Sequence, residues 1–162
     1  MAPPGVNGFY YYSFTTVDPF LSLLSVYLNY FAPETLIDPA FPRTSPHAQL
    51  TPSHAFLHHQ AGGSFAMFAF LMIFMLRYTD DLGVWKLFQA GLLFTDFAAL
   101  FSMFKAVQAH GGPIRSEAST NIAIIAVITL VRVLFVMGVG VGGRGQAQSR
   151  ARGRGRGAGK RA

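Results

Sequence analysis

Residues 121–141 read NIAIIAVITLVRVLFVMGVGV: twenty-one positions in which Arg132 is the only charge and Ile122 to Val131 is apolar on nearly every face of a helix. A helix facing water keeps a polar side, so this stretch implies a helix surrounded by lipid or by other apolar helices. A hydrocarbon core of about 30 Å needs roughly 20 helical residues to cross it. Three further windows come within a few residues of that length, 9–31, 54–76 and 85–104. The expectation is an all-α polytopic membrane protein, a four-transmembrane-helix bundle.

Composition agrees with that reading. The chain of 162 residues is 51% hydrophobic and only 12% charged, with 16 phenylalanines, whereas soluble domains average about 25% charged residues. A soluble bundle would lack the charge to cover its surface, and a disordered or nucleic-acid-coating protein is excluded as the main description. The net charge of +6 divides unevenly. Arg144, Arg150, Arg152, Arg154, Arg156, Lys160 and Arg161 lie beyond residue 141, which leaves six basic and seven acidic residues before it. Two units follow: residues 1–141 as the membrane domain and 142–162 as a disordered Arg/Gly-rich tail. The tail suits an anchor on anionic lipid, at about 1 kcal/mol per basic residue near the surface. Nucleic acid is an unlikely partner. With no cysteine there is no disulfide, thiolate nucleophile or Cys-based metal site.

The connections differ. Residues 32–53 hold five of the nine prolines and read as an ordered, irregular loop. Residues 77–83 form a tight turn, and 105–120 contain Gly111, Gly112 and Pro113. The leader at 1–8 lacks the basic region of a secretory signal, so the first window is expected to remain as a span. Counting Lys and Arg places both termini on the cytosolic side, an orientation that rests mainly on the tail. Tyr10, Tyr11, Tyr12, Tyr78 and Trp85 then fall at the cytosolic interface, and Tyr27 and Tyr30 near the other. The endoplasmic reticulum or another endomembrane is the expected compartment.

Three charges inside the windows are the candidate catalytic residues: Asp18, Asp96 and Arg132. At about 1.5 Å per residue all three reach a similar depth near the midplane. Ionisable groups there cost several kcal/mol on insertion scales, so each should turn inward and seek the others. Two carboxylates facing one guanidinium leave one acid over, a potential proton donor whose acidity Arg132 would set. Tyr11, Thr15, Asp18, Ser22, Ser25 and Asn29 recur at helical spacing as one polar stripe. Gln89 lies two turns from Asp96, and Asn121 and Thr129 share a broad face with Arg132. Gly62, Ala66 and Ala69, and likewise Gly91, Thr95 and Ala98, offer small faces for close helix approach. Either the stripe is interhelical glue, or it lines a pocket whose ligand-binding candidates are Ser22, Asn29, His58, His59, Gln60 and Gln89.

His54, His58 and His59 sit as His-x3-His-His, with His47 and His110 on the same side. Residues i and i+4 on a helix can chelate one metal, and the spacing is similar to one histidine box of membrane di-iron desaturases. That family uses more histidines than the five present. No metal and no cofactor are expected; hydrogen bonding at a pocket mouth suits these side chains better. There is no nucleophile elbow or P-loop, and Gly138-x-Gly140 reads as a helix end.

Asp18-Pro19 in the first window, His59-Gln60 opening the second, Asp81-Leu82-Gly83-Val84-Trp85-Lys86 leading into the third with Asp96 inside it, and Arg132 in the fourth together resemble small fungal four-span membrane proteins classed as a domain of unknown function. The likeness covers approximately 10–141. That pattern favours Glu before the proline, so Asp18 is a shorter acid, and the Arg/Gly tail is an addition. The resemblance implies topology and brings no activity. A looser, architectural likeness links the arrangement to the four-helix sterol isomerase and sigma-2 receptor fold, where acids inside the bundle face an apolar ligand. Two functional expectations stand. One is a structural or partner-binding membrane protein, as a homo- or hetero-oligomer, held together by its buried charges. The other is an isomerase- or cyclase-like enzyme, or a binding protein, for a sterol, terpenoid or other lipophilic molecule.

Overall fold

A computed structural model describes residues 2–110 and 114–142, with the side chain of His110 excepted. The basic tail beyond residue 142 and the Gly111-Gly112-Pro113 turn lie outside the described residues. Among the described residues every regular element is helical. The first, α1, comprises Gly8–Tyr12, a widened π turn at Ser13–Val17 and Asp18–Phe31 in unbroken succession. A short α2 follows at Pro33–Ile37. Then come α3 at Pro52–Tyr78, α4 at Leu82–His110 and α5 at Ser116–Val136.

Three helices, α3, α4 and α5, are long and apolar enough to cross a membrane. The tyrosines, hydroxyls and Asp18 of α1 make it the most polar of the long elements. Its outward face is nevertheless apolar: Phe9, Phe20, Leu24 and Phe31 are exposed, like Phe56 and Phe70 on α3, Phe94 on α4 and Leu130 on α5. So many bare aromatic and aliphatic side chains suit a lipid environment.

Local chemistry sets the helix ends. Asn7 caps α1 by accepting from the Tyr10 N–H at 3.0 Å. Thr51 and His54 form a reciprocal capping box at the start of α3. Asp81 precedes α4 and accepts from the Gly83 N–H at 2.6 Å, which is why that helix begins at Leu82 and not at the expected residue 85. It also continues to His110, past the expected 104, giving 29 residues or about 43 Å, more than the hydrocarbon core requires. The fourth expected window is displaced. The helix runs Ser116–Val136 rather than 121–141, because Gly138 adopts φ +85° and ends it within the apolar run. The proline-rich connection, expected as an ordered, irregular loop, also contains regular helix. Pro33 occupies the first turn of α2, and Pro46–Ala48 make one 3-10 turn.

The most extensive contacts pair α1 with α3 and α4 with α5. Gly62 permits the first pairing: a Cβ there would lie 2.6 Å from the Tyr30 ring. Ala69 is buried on the same face, whereas Ala66 is exposed and takes no part. On α4 Gly91 meets nothing within 4 Å and Ala98 is exposed, so these two members of the expected small face point out of the chain, while Thr95 is half-buried and turned inward. At one end of the seam between the pairs, Tyr10, Phe14, Trp85 and Phe135 form an aromatic core joined by Met72 and Leu76. Trp85 is fully buried, its indole donating to the Thr79 carbonyl at 3.1 Å, so it does not present its ring to lipid headgroups as expected. The two ends of the described chain meet there, with the Tyr10 hydroxyl on the Val139 carbonyl at 2.9 Å and the Gly142 N–H on the Gly5 carbonyl at 3.1 Å.

The π turn has a cause in Pro19. A proline offers no N–H to the carbonyl four residues back and its ring crowds that carbonyl, which here belongs to Thr15. The helix widens just before the proline, and the Arg77 guanidinium from the end of α3 donates to the Thr15 carbonyl at 2.7 Å. Arg77 is thus drawn from the turn into contact with α1. Pro19→Ala supplies an N–H for the same carbonyl, so Arg77→Ala should destabilise the Pro19→Ala protein less than the native one. A double-mutant cycle of unfolding in detergent should give a coupling of about 1 kcal/mol.

Candidate functional site

Asp18, Asp96 and Arg132 come together in the seam, one each from α1, α4 and α5. The Arg132 Nη2 donates to Asp18 Oδ2 at 2.9 Å, and its Nη1 donates to Asp96 Oδ1. All three residues are at least nine-tenths buried. Neither acid is left over, contrary to the expectation from counting charges, because the two terminal nitrogens of one guanidinium serve one carboxylate each. The cluster still carries a formal charge of −1. Asp96 Oδ2 and Arg132 Nε are enclosed without a hydrogen-bond partner among the described residues. Thr129, one turn before Arg132, is buried beside them on α5 and returns its hydroxyl to the Ile125 carbonyl at 2.7 Å.

The polar stripe of α1 faces inward along its length. Thr15, Asp18 and Asn29 are buried, and Tyr11, Ser22 and Ser25 half-buried. Its hydroxyls and amide are largely spent on their own helix, Ser25 on the Leu21 carbonyl at 2.9 Å and Asn29 on the Ser25 carbonyl at 2.8 Å. Self-bonding of this kind lets polar side chains line a seam without demanding a partner across it.

Away from the aromatic core the seam opens. A cavity of about 310 Å³ lies beside the charged cluster, walled by all five helices. The three charges of the cluster with Ser22, Ser25, Thr95 and Asn121 supply its polar lining, and leucines, isoleucines and phenylalanines most of the remainder. A second, open space of about 620 Å³ lies over it, between Asn29, the segment around Leu36 to Phe41, the head of α3 and the far half of α4. Leu36 of α2 borders both. Within this vestibule the His58 Nδ1 bonds the Asn29 Oδ1 at 2.9 Å.

The remaining sequence candidates are dispersed. His59 is exposed and stacks on the Tyr30 ring at 5.2 Å, and Gln60 is exposed on the same outer side. They follow His58 by one and two helical positions, and those rotations turn them away from the vestibule. Gln89 is fully buried, neither end of its amide has a partner among the described residues, and it borders neither cavity. His54 lines the vestibule while capping α3. No group of three or more potential metal ligands occurs among the described residues. Leu36, Phe65, Phe68 and Ala99 are wall residues that sequence reading did not single out; an apolar side chain in an apolar helix carries no mark of facing a cavity.

The chain is therefore an all-helical protein with three apolar helices compatible with a multi-pass membrane protein, arranged around a buried ionic cluster. It belongs to the family described as Domain of unknown function (DUF7704), whose model matches residues 6–142, from just before α1 to just after α5. No curated protein and no solved structure matches it.

Arg132→Met strands two buried carboxylates and should cost about 3–5 kcal/mol. Asp18→Asn leaves the Arg132–Asp96 pair intact and should cost about 1–3 kcal/mol. The triple variant Asp18→Leu/Asp96→Leu/Arg132→Met removes the desolvation penalty with the charges and should recover most of the loss. Equilibrium unfolding in one detergent checks all three; a triple variant less stable than Arg132→Met would contradict the assignment of the cluster as a helix tie.

Proposed function

We propose that this is a four-span integral membrane protein of the small fungal kind, in the endoplasmic reticulum or another endomembrane, that holds a lipophilic molecule between its two helix pairs. The observation that carries the binding reading is the cavity beside the charged cluster. It is apolar over most of its wall, and together with the vestibule it falls within the usual range of small-molecule sites, about 300–1,000 Å³. The cluster ties the walls together. Binding suits this geometry better than proton donation, since Asp96 has one oxygen held by Arg132 and the other enclosed. Assembly with a second protein is favoured by one separate feature, the outward Gly91–Ala98 face of α4.

Support for α1 as the fourth span comes from its contacts at three heights. Tyr10 bonds the chain after α5 at one end, Asp18 bonds Arg132 midway, and Asn29 bonds His58 at the head of α3. Both described termini thus lie at one end of the bundle, and the tail would meet anionic lipid on the cytosolic face.

Because the chain has no cysteine, single cysteines report sidedness without background. A membrane-impermeant maleimide should label Asn7→Cys, Asp80→Cys and Gly140→Cys from the cytosolic side and Arg43→Cys only from the other. Three spans would instead put Asn7 and Arg43 on one side.

Ala99 lines the cavity and its neighbour Ala98 faces outward. Mass spectrometry of lipophilic molecules that copurify with the protein should find a discrete species in the native chain and in Ala98→Phe, reduced at least about tenfold in Ala99→Phe, the change that about 1.4 kcal/mol produces. Bulk lipid alone in all three would reject the binding reading in favour of assembly.

A further inference from the structure

The vestibule contains a hydrogen-bond chain whose polarity can be read throughout. The Asn29 Nδ2 donates to the Ser25 carbonyl at 2.8 Å. This orients the amide, since the reversed orientation would set two acceptors against each other. The Asn29 Oδ1 therefore faces His58, and the 2.9 Å contact requires the proton of that imidazole to sit on Nδ1. In the neutral ring Nε2 then carries a lone pair. It has no partner among the described residues, and His58 is part of the vestibule wall.

We infer that the Asn29–His58 pair is the head-group site of the bundle and that it takes the hydroxyl of a lipophilic alcohol, donated to His58 Nε2. The inference rests on the proposed binding of a lipophilic molecule and specifies its polar end. Three features lead to this class. A fixed acceptor selects a donor. The vestibule wall holds no carboxylate, lysine or arginine among the described residues, so neither a cationic nor an anionic head finds a permanent counter-charge. Depth completes the argument. Asn29 lies eleven residues beyond Asp18 on α1, about 16 Å towards the end of the bundle remote from the chain termini. An amphiphile keeps its polar end near the membrane interface and its apolar body towards the midplane. With the hydroxyl at His58 the body passes Leu36, which borders both spaces, into the cavity beside the ionic cluster. The cluster then lies against the apolar body and its charges stay within the seam.

The test uses the full chain in detergent with radiolabelled straight-chain and polycyclic alcohols, each beside its methyl ether and the corresponding acid. An ether keeps the shape and loses the donor. A hydrogen bond of ordinary net strength corresponds to about a five- to tenfold change in affinity. An alcohol should bind saturably and its ether about five- to tenfold more weakly. His58→Phe should weaken the alcohol by the same factor and leave the ether unchanged, while His59→Phe, on the outer face, should change neither. Should His58→Phe fail to fold, the alcohol-to-ether ratio of the native chain decides alone. Equal binding of alcohol and ether, or preference for the acid, overturns the head-group assignment and leaves the binding reading standing. No saturable binding by any alcohol or ether overturns both.

Discussion

One guanidinium bonded to two carboxylates on two other helices is the constraint around which this bundle is organised. Where apolar helices pack within lipid, hydrophobic burial offers little net drive for association, so packing and polar contacts must supply it. Here α1 pairs with α3 and α4 with α5, and the Arg132 contacts join one pair to the other through α1. Asp18 and Asp96 must come to the same depth as Arg132 and on the same side of their helices. A shift of one helical turn, about 5.4 Å, would leave a charge in an apolar wall, at a cost of several kcal/mol.

The seam on either side of this tie has different contents for related reasons. Towards the chain termini it is closed by large rings, with Phe14 and Phe135 at 5.0 Å between centroids and Tyr10 and Phe135 at 5.1 Å. Pro19 stands at the junction, directly after Asp18. It forces the widened turn at Ser13–Val17, which rests against a second such turn at Leu71–Met75 of α3. Towards the other end the side chains facing the seam become smaller or self-bonded, as with Ser22, Ser25 and Ala99, and the helices enclose space. The proline-led helix α2 then places Leu36 over that space.

What could be read from the sequence follows from what each signal measures. The depth of the three charges was legible, because depth is a residue count from a helix end, and so was the inward stripe of α1, because Tyr11 to Asn29 repeat at helical spacing. Facing direction within an apolar helix was not. Ala66 and Ala98 resemble Ala69 and Ala99 in every local respect, yet only the second of each pair faces inward. His59 and Gln60 adjoin His58 in the chain, yet rotations of one and two helical positions turn them to the outer side. Trp85 was given to the membrane interface on the general habit of tryptophan, but its neighbours Tyr11 and Phe135 enclose it. The register of α5 failed for another reason: hydropathy continues to Val141, while the backbone conformation of Gly138 stops the helix.

Gln89 bears on whether the seam serves assembly alone. It lies on the inward face of α4, two turns from Asp96, with no exposure and no partner among the described residues for either end of its amide. An enclosed, unsatisfied amide costs about 1–3 kcal/mol per unpaired group by comparison with mutational series, whereas leucine would fill similar space with no such penalty. The side-chain ties between helices, Arg132 to Asp18 and Asp96, Asn29 to His58 and Arg77 to Thr15, do not involve Gln89. A bundle shaped only for cohesion would also fill the space beside the cluster, because each void forfeits dispersion contacts on which lipid-embedded helices depend. A cavity of about 310 Å³ beside the cluster therefore runs against the direction in which cohesion alone would lead. The cluster that borders it fixes α1, α4 and α5 at one depth, and so holds three of its walls in place.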